Sequence, residues 1–359
     1  MSDIDIRVTG CAGRITLTRP HALNAMTYDM CMAIDAALQR WVNDDAVAVI
    51  VIDAIGERAF CSGGDIAELY ESGTKGDYAY GQKFWADEYR LNNRIFNYPK
   101  PVVSFLQGFT MGGGVGIGCH GSHRIVGETS QIAMPECGIG LVPDVGGSLM
   151  LALAPGRLGE YLGTTGTRMG AADAIYAGFA DSYVPENHWP TLIEKLEQDG
   201  DVTVLDAAAE VAPPGTLHGR IDQINALFGG EALGDVLTDL SNDSSDFAAE
   251  TLKGMRRASP LSMACAIEII HRLRGPSLSM AKALDLEYRF TFRATEHGDF
   301  IEGIRAAIID KDRNPKWQFA DMKVPPAAVS KMLQPLGKHA LTLEDRGMQP
   351  LTIGFIGLG

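Results

Sequence analysis

The residue types best suited to chemistry in this sequence are carboxylates set among glycines and apolar side chains. In Met134-Pro135-Glu136-Cys137-Gly138-Ile139-Gly140-Leu141-Val142-Pro143-Asp144-Val145-Gly146-Gly147, two acids stand eight residues apart in a segment otherwise apolar or glycine. Glu136 has no Lys or Arg near it in the chain. A carboxyl group in such surroundings is desolvated and its pKa tunable, as a general base requires. Asp144 stands where it could cap a helix starting near Gly146, so its spacing suits a structural and a chemical reading alike. Glu88 interrupts the stripe Phe84, Glu88, Leu91, Ile95, which follows the spacing of one helix face. Burying a carboxylate is costly unless it is paired or used. The alternative is an edge position facing a neighbour, since Asp87 gives this helix a polar side.

Two glycine-rich stretches could supply the partner to such acids. Ala59-Phe60-Cys61-Ser62-Gly63-Gly64-Asp65-Ile66 follows an apolar strand and opens a helix at Asp65. Gln107-Gly108-Phe109-Thr110-Met111-Gly112-Gly113-Gly114-Val115-Gly116 follows another. Such turns present free N–H groups, and glycine lets a ligand approach the backbone with no Cβ in the way. That suits an oxygen that gains negative charge. A tight capped turn, or helix-on-strand packing, is the structural alternative for each. The second stretch is not G-x-G-x-x-G with a following ribose-binding acid, so a dinucleotide site is poorly supported there. His120 and His123 have metal-like spacing but no acidic or Cys partner in pattern, which reads as loop or core histidines. Cys61 and Cys119 lie in or near the glycine loops and read as small buried side chains. There is no G-x-S-x-G elbow.

The elements that must position these residues alternate in type. Arg14 to Thr18 alternates like a half-buried strand. Thr27 can cap a helix to about Trp41, with Met30, Ile34, Leu38 and Trp41 on one face. Val47 to Ile52 and Val102 to Leu106 read as strands covered on both faces. A helix from about Asp77 to Phe96 lies between them. A short strand near Arg124 to Val126 and short helices at Ser148 to Ala154 and Ala171 to Ala177 follow. From about Trp189 into the 290s the pattern is helical. This order predicts an α/β layer architecture with a helical C-terminal part. No internal repeat is visible.

Composition narrows the function classes. The chain has 359 residues, 46% of them hydrophobic, enough for one large core and a smaller unit. Its net charge of −14 makes nucleic acid a poor partner. Six scattered cysteines without a C-x-x-C pair read as reduced thiols. Neither a signal, a transit segment nor a membrane-length apolar run is evident, so the expected location is the cytoplasm, away from the membrane.

At the level of motifs, Arg19-Pro20-His21-Ala22-Leu23-Asn24-Ala25-Met26, Ala59 to Ile66 and Gly112-Gly113-Gly114 resemble the crotonase (enoyl-CoA hydratase/isomerase) superfamily. Within it the chain resembles the 3-hydroxyisobutyryl-CoA hydrolase branch. Glu88-Tyr89-Arg90-Leu91-Asn92-Asn93, the Met134 to Gly147 segment, Asp299 to Ala306 and Ile309 to Trp317 carry that likeness. The resemblance implies a crotonase-like ββα spiral core over 1–215 and a mainly helical region over 216–343. It also implies hydrolysis of an acyl-CoA thioester, as in valine breakdown, with coenzyme A as part of the substrate and no separate cofactor or metal. It leaves a homo-oligomer open. By the same likeness the oxyanion donors fall on Gly64 and Gly113, and the acids on Glu136, Asp144 and Glu88. Ala22, Leu23, Asn24, Gly63, Asp65 and Ile66 run along the substrate. A hydratase of this superfamily carries a second glutamate where this chain has Gly116, which weighs against hydration. Isomerisation by a lone Glu136, or CoA binding without catalysis, are the other expectations. Residues 344–359 resemble the start of a hydroxyacid dehydrogenase and are expected to be foreign to the fold.

Overall fold

The computed structural model describes residues 3–276 and 278–343. β1 (Ile4–Thr9) and β2 (Ala12–Leu17) form an antiparallel hairpin. It turns at Gly10, whose φ of +55° favours glycine and where a Cβ would lie 1.9 Å from the Glu197 carbonyl oxygen. α1 (Tyr28–Trp41) starts where Thr27 accepts the Met30 N–H at 3.2 Å, and its Met30, Ile34, Leu38 and Trp41 are buried, as the spacing predicts.

The chain then repeats one arrangement three times. β3 (Val49–Ala54) and β4 (Ala59–Cys61) lead to α2 (Ala67–Thr74) and α3 (Tyr78–Phe96). β5 (Val102–Phe105) and β6 (Phe109–Met111) lead to α4 (Gly113–Gly118). β7 (His123–Val126) and β8 (Gln131–Ala133) lead to a 3-10 turn at Glu136–Ile139 and to α5 (Gly147–Leu153). The first strand of each pair joins a six-stranded sheet, ordered β1-β2-β3-β5-β7-β9 with β9 at Ser182–Tyr183; the second joins a three-stranded sheet, β4-β6-β8. Beyond the first hairpin every pairing between these strands is parallel. Each unit thus advances one strand in both sheets, the ββα spiral of the crotonase fold. The repeat is one of topology, which is why no sequence repeat announces it.

β3 is buried on both faces, as its continuous apolar run predicts: Ile50 and Ile52 enter the main core, while Val49 and Val51 pack with Phe105 and Trp189 on the other side. After α6 (Leu158–Thr165) and α7 (Ala171–Tyr176), α8 (Trp189–Asp199) and α9 (Thr203–Ala208) cover that second face. The C-terminal part is helical as expected: α10 (Ile221–Leu227), α11 (Leu233–Asn242), α12 (Asp246–Met255), α13 (Pro260–Leu273), α14 (Met280–His297), α15 (Phe300–Ile304) and α16 (Pro326–Leu333). One apolar cluster runs from Ile15 to Leu333, so the 216–343 region shares its core with residues before 215. α14 lies against α3, where Tyr288 and Tyr89 meet edge to face at 6.2 Å. No helix among the described residues is long and apolar enough to cross a membrane. Residues 344–359, read as a foreign tail, lie outside the described residues.

Candidate active site

The two glycine stretches converge on one cavity of about 560 Å³. Both are placed there by adjacent parallel strands of the small sheet, β4 and β6. Beside β4, the bridging bonds run from Met26 N–H to Gly63 O (2.9 Å) and from Asp65 N–H to Met26 O (2.7 Å), which skips the Gly64 N–H. Asp65 is therefore spent in a bridge, and α2 begins at Ala67 rather than at Asp65. Gly113 is the first residue of α4, with no helical carbonyl a turn behind its N–H. A Cβ on Gly113 would lie 3.3 Å from the Gly64 nitrogen and 3.2 Å from Glu88 Oε1, so these groups share one small space.

The three glycines of the second stretch divide their work. Gly112 has φ +49° and ψ −118°, a glycine conformation, and a Cβ there would come within 2.8 Å of Glu136 Oε1. Gly113 faces the cavity. Gly114 packs α4 on β4, because a Cβ would lie 2.3 Å from the Cys61 carbonyl oxygen. The close-packing reading of the stretch holds at Gly114, while Gly113 is left facing the cavity.

All three expected acids line this cavity, each about 5% exposed or less. α3 carries Glu88, the 3-10 turn begins at Glu136, and Asp144 precedes α5. Among the described residues lining the cavity there is no Lys, Arg or His. Burial and mutual repulsion therefore hold protons on the acids. Asp144 is pushed up to about 7 by burial, against the pull of the Tyr89 hydroxyl, which donates to its Oδ2 at 2.7 Å. Glu136 and Glu88 are raised well above the ordinary carboxylate range, by burial first and then by the charge of Asp144. Such close groups titrate as one set. Glu136 Oε2 is buried with no hydrogen-bond partner. A desolvated carboxyl group lining the same cavity as Gly64 and Gly113 is suited to proton transfer or to attack on a carbonyl.

Asp144 is not the helix cap. Gly146 stands at that position, and Glu287 of α14 does the capping: its Oε2 accepts the Gly146 N–H at 2.8 Å, and its Oε1 accepts the Ser148 N–H at 3.1 Å and the Ser148 hydroxyl. Sequence reasoning missed Glu287 and Tyr89, both fully buried. The test that found Glu88 finds Glu287 too, since it interrupts the stripe Met280, Ala283, Leu284, Glu287, Thr291, Ala294.

Of the remaining expected substrate contacts, Ala22, Gly63, Asp65 and Ile66 line the cavity, whereas Leu23 and Asn24 do not. Asn24 is buried with φ +54°; its side chain donates to the Ile55 (3.0 Å) and Ala59 (2.9 Å) carbonyls and accepts the Arg19 N–H (2.8 Å). Leu23 (φ +52°) accepts the Ser62 N–H at 3.0 Å. These two residues shape the loop that Ala22 presents. Asp65 pairs with Arg19 at 3.2 Å. Cys61 and Cys119 are buried and their thiols pushed up to about 12. His120 is buried with Nε2 at 2.7 Å from the Val145 carbonyl oxygen, and His123 Nδ1 lies 2.9 Å from the Ser122 hydroxyl. The cavity is walled by Phe84 and Trp85 of α3 and by Phe300 and Ile308 of the C-terminal part.

The sequence model of the enoyl-CoA hydratase/isomerase family matches residues 12–333. The chain belongs to this family. Family members similar to it include the 3-hydroxyisobutyryl-CoA hydrolase, mitochondrial, of Xenopus tropicalis, 39% identical over 86% of this chain and 82% of that protein. The rat protein of the same name is 38% identical over 88% of this chain and 84% of its own length. A solved family structure, an enoyl-CoA hydratase from Rhodobacter sphaeroides 2.4.1, is 58% identical and covers 95% of this chain and all of that one, with a TM-score of 0.92.

Proposed function

We propose that this enzyme hydrolyses a small 3-hydroxyacyl-CoA thioester, 3-hydroxyisobutyryl-CoA above all, to the free acid and CoA. One observation carries the reading: Glu136, desolvated and with its buried Oε2 unpartnered, lines an apolar cavity together with Gly64, Gly113 and two further buried acids. The relatives named 3-hydroxyisobutyryl-CoA hydrolase support the same substrate.

In this reading the thioester oxygen sits between the two N–H groups, which take up its developing charge. Glu136 then acts in one of two ways. As a base it takes a proton from water, the water oxygen bonds to the carbonyl carbon, and the C–S bond breaks with the proton passing to the thiolate. As a nucleophile its oxygen bonds to that carbon, thiolate leaves, and water cleaves the resulting anhydride. Glu88 and Asp144 hold the 3-hydroxyl and keep Glu136 in the right protonation state. The protein needs only its own residues and water for these steps.

The Rhodobacter relative is named for a different reaction, hydration. Three acids in one cavity could serve two proton transfers, the requirement of that chemistry. The position of the superfamily's second glutamate argues against it: a Cβ on Gly116 would lie 2.7 Å from Asn92 Nδ2 and 2.8 Å from Val145 Cβ. No carboxylate fits there without displacing α3 or the Asp144 turn. Release of free CoA, followed with a chromogenic disulfide reagent on a panel of acyl and 3-hydroxyacyl thioesters, decides between the two. Hydration of an enoyl-CoA without thiol release would overturn the hydrolase reading.

A further inference from the structure

Asp144 is followed by a strained turn. Val145 and Gly146 have φ values of +53° and +81°, and a β-branched residue in the left-handed region is unfavourable. The fold over-determines this turn from two sides. His120 Nε2 lies 2.7 Å from the Val145 carbonyl oxygen. Glu287 gathers the Gly146 N–H, the Ser148 N–H and the Ser148 hydroxyl. Both oxygens of this carboxyl accept, Oε2 from one donor and Oε1 from two, so the turn is held at three points. One helical turn farther along α14, Thr291 lies 3.4 Å from the Tyr89 hydroxyl oxygen, and that hydroxyl donates to Asp144. One face of α14 therefore holds both the backbone after Asp144 and the group that orients its carboxyl.

We propose that Glu287 is a positioning residue for the reaction: it takes over the capping of α5 and locks the Val145–Gly146 turn, which leaves the Asp144 carboxyl free to face the cavity. The proposal rests on the hydrolase reading of Asp144. It also gives the C-terminal part a share in the site beyond walling it.

Glu287→Gln keeps the volume but sets an NH₂ group against N–H and O–H donors that need an acceptor. In steady-state CoA release by the full chain, kcat falls by about tenfold or more, the scale expected when a reacting group is displaced by a fraction of an ångström to an ångström, while KM stays within about twofold. The deciding measurement is a double-mutant cycle with Asp144→Asn. If Glu287 acts through Asp144, adding Glu287→Gln to Asp144→Asn lowers kcat by less than about twofold more. Multiplied losses, a rise in KM with kcat kept, or wild-type kcat would each overturn the proposal. Should Glu287→Gln fail to fold, Ser148→Ala removes one donor and keeps the anchor; its smaller kcat loss must also vanish in the Asp144→Asn background, and a loss that persists there, or no loss at all, overturns the proposal. Failure of the wild type to release CoA is a different result, which refutes the hydrolase reading itself.

Discussion

Glu136 sits where its chemistry is set by what surrounds it. Its carboxyl is buried, with Oε2 unpartnered, and burial together with Asp144 raises its pKa. Glu136→Gln keeps the shape and removes both base and nucleophile. We expect kcat to fall by about two to four orders of magnitude with KM largely kept, read from CoA release; wild-type turnover would remove Glu136 from the mechanism. The free enzyme holds protons on these acids into the neutral range, with Asp144 near 7. The acid limb of kcat/KM should therefore rise with pH through neutrality, with a midpoint belonging to the set of acids. Tyr89 favours the ionised form of Asp144 through its hydrogen bond. Tyr89→Phe should move that limb to higher pH with little loss of stability. A limb that stays put would separate Asp144 from the rate.

At the scale of elements, the loop-to-helix junctions after β4 and β6 make the site, and their glycines are not equivalent. A Cβ at Gly114 would meet the Cys61 carbonyl at 2.3 Å, backbone against backbone. Gly114→Ala should cost about 1–3 kcal/mol through overpacking and lower the melting temperature. A Cβ at Gly113 would enter the cavity 3.2 Å from Glu88 Oε1. Gly113→Ala should keep the melting temperature and lose most of its turnover. Thermal unfolding and CoA release, measured side by side, test this split; the reverse pattern would mean that the two glycines have been assigned to the wrong faces. α14 matters for a similar reason, because its buried Glu287 supports the turn after Asp144 from behind and its Thr291 lies against the Tyr89 hydroxyl.

For the whole molecule, several acids buried together make stability depend on pH. Asp144 is held at about 7, Glu287 at about 8 mainly by burial, and Glu88 and Glu136 well above the usual range. In an unfolded chain such groups titrate near pH 4. Between those values the folded state binds more protons than the unfolded state, so stability falls as pH rises. His120 acts in the other direction: burial lowers it to about 4, so its contribution grows as pH climbs towards 6.5. Above that point the carboxylates dominate. The melting temperature should fall from pH 6.5 to 8.5, and Asp144→Asn should flatten the slope; a rising curve would contradict the protonated set. Deleting residues 344–359 should leave CoA release and melting temperature unchanged, and the full chain should not bind NAD. A drop in stability on deletion would make the tail part of the working structure.

What the sequence by itself determined is local in its physics. Alternation and β-branched runs marked β2, β3 and β5, the spacing on α1 and α3 marked their buried faces, and glycine runs marked the two loops. The acids Glu88, Glu136 and Asp144 stood out because a carboxylate in an apolar stripe or a glycine run is costly, and that cost is visible in one dimension. The strands β4, β6 and β8 did not stand out, since three residues are too few to show a period. Which glycine meets the cavity and which meets a carbonyl depends on the neighbouring strand. Asn24 lay in a matched motif, yet its amide serves backbone carbonyls some thirty residues away, outside the cavity. The cap of α5 was a choice between a residue nearby in sequence and one 141 positions downstream. Local rules favour the near residue, and packing against α14 chose Glu287. Only the tertiary structure could decide this, because a hydrogen bond is set by distance in space, and spacing along the chain sets that distance only within a single element.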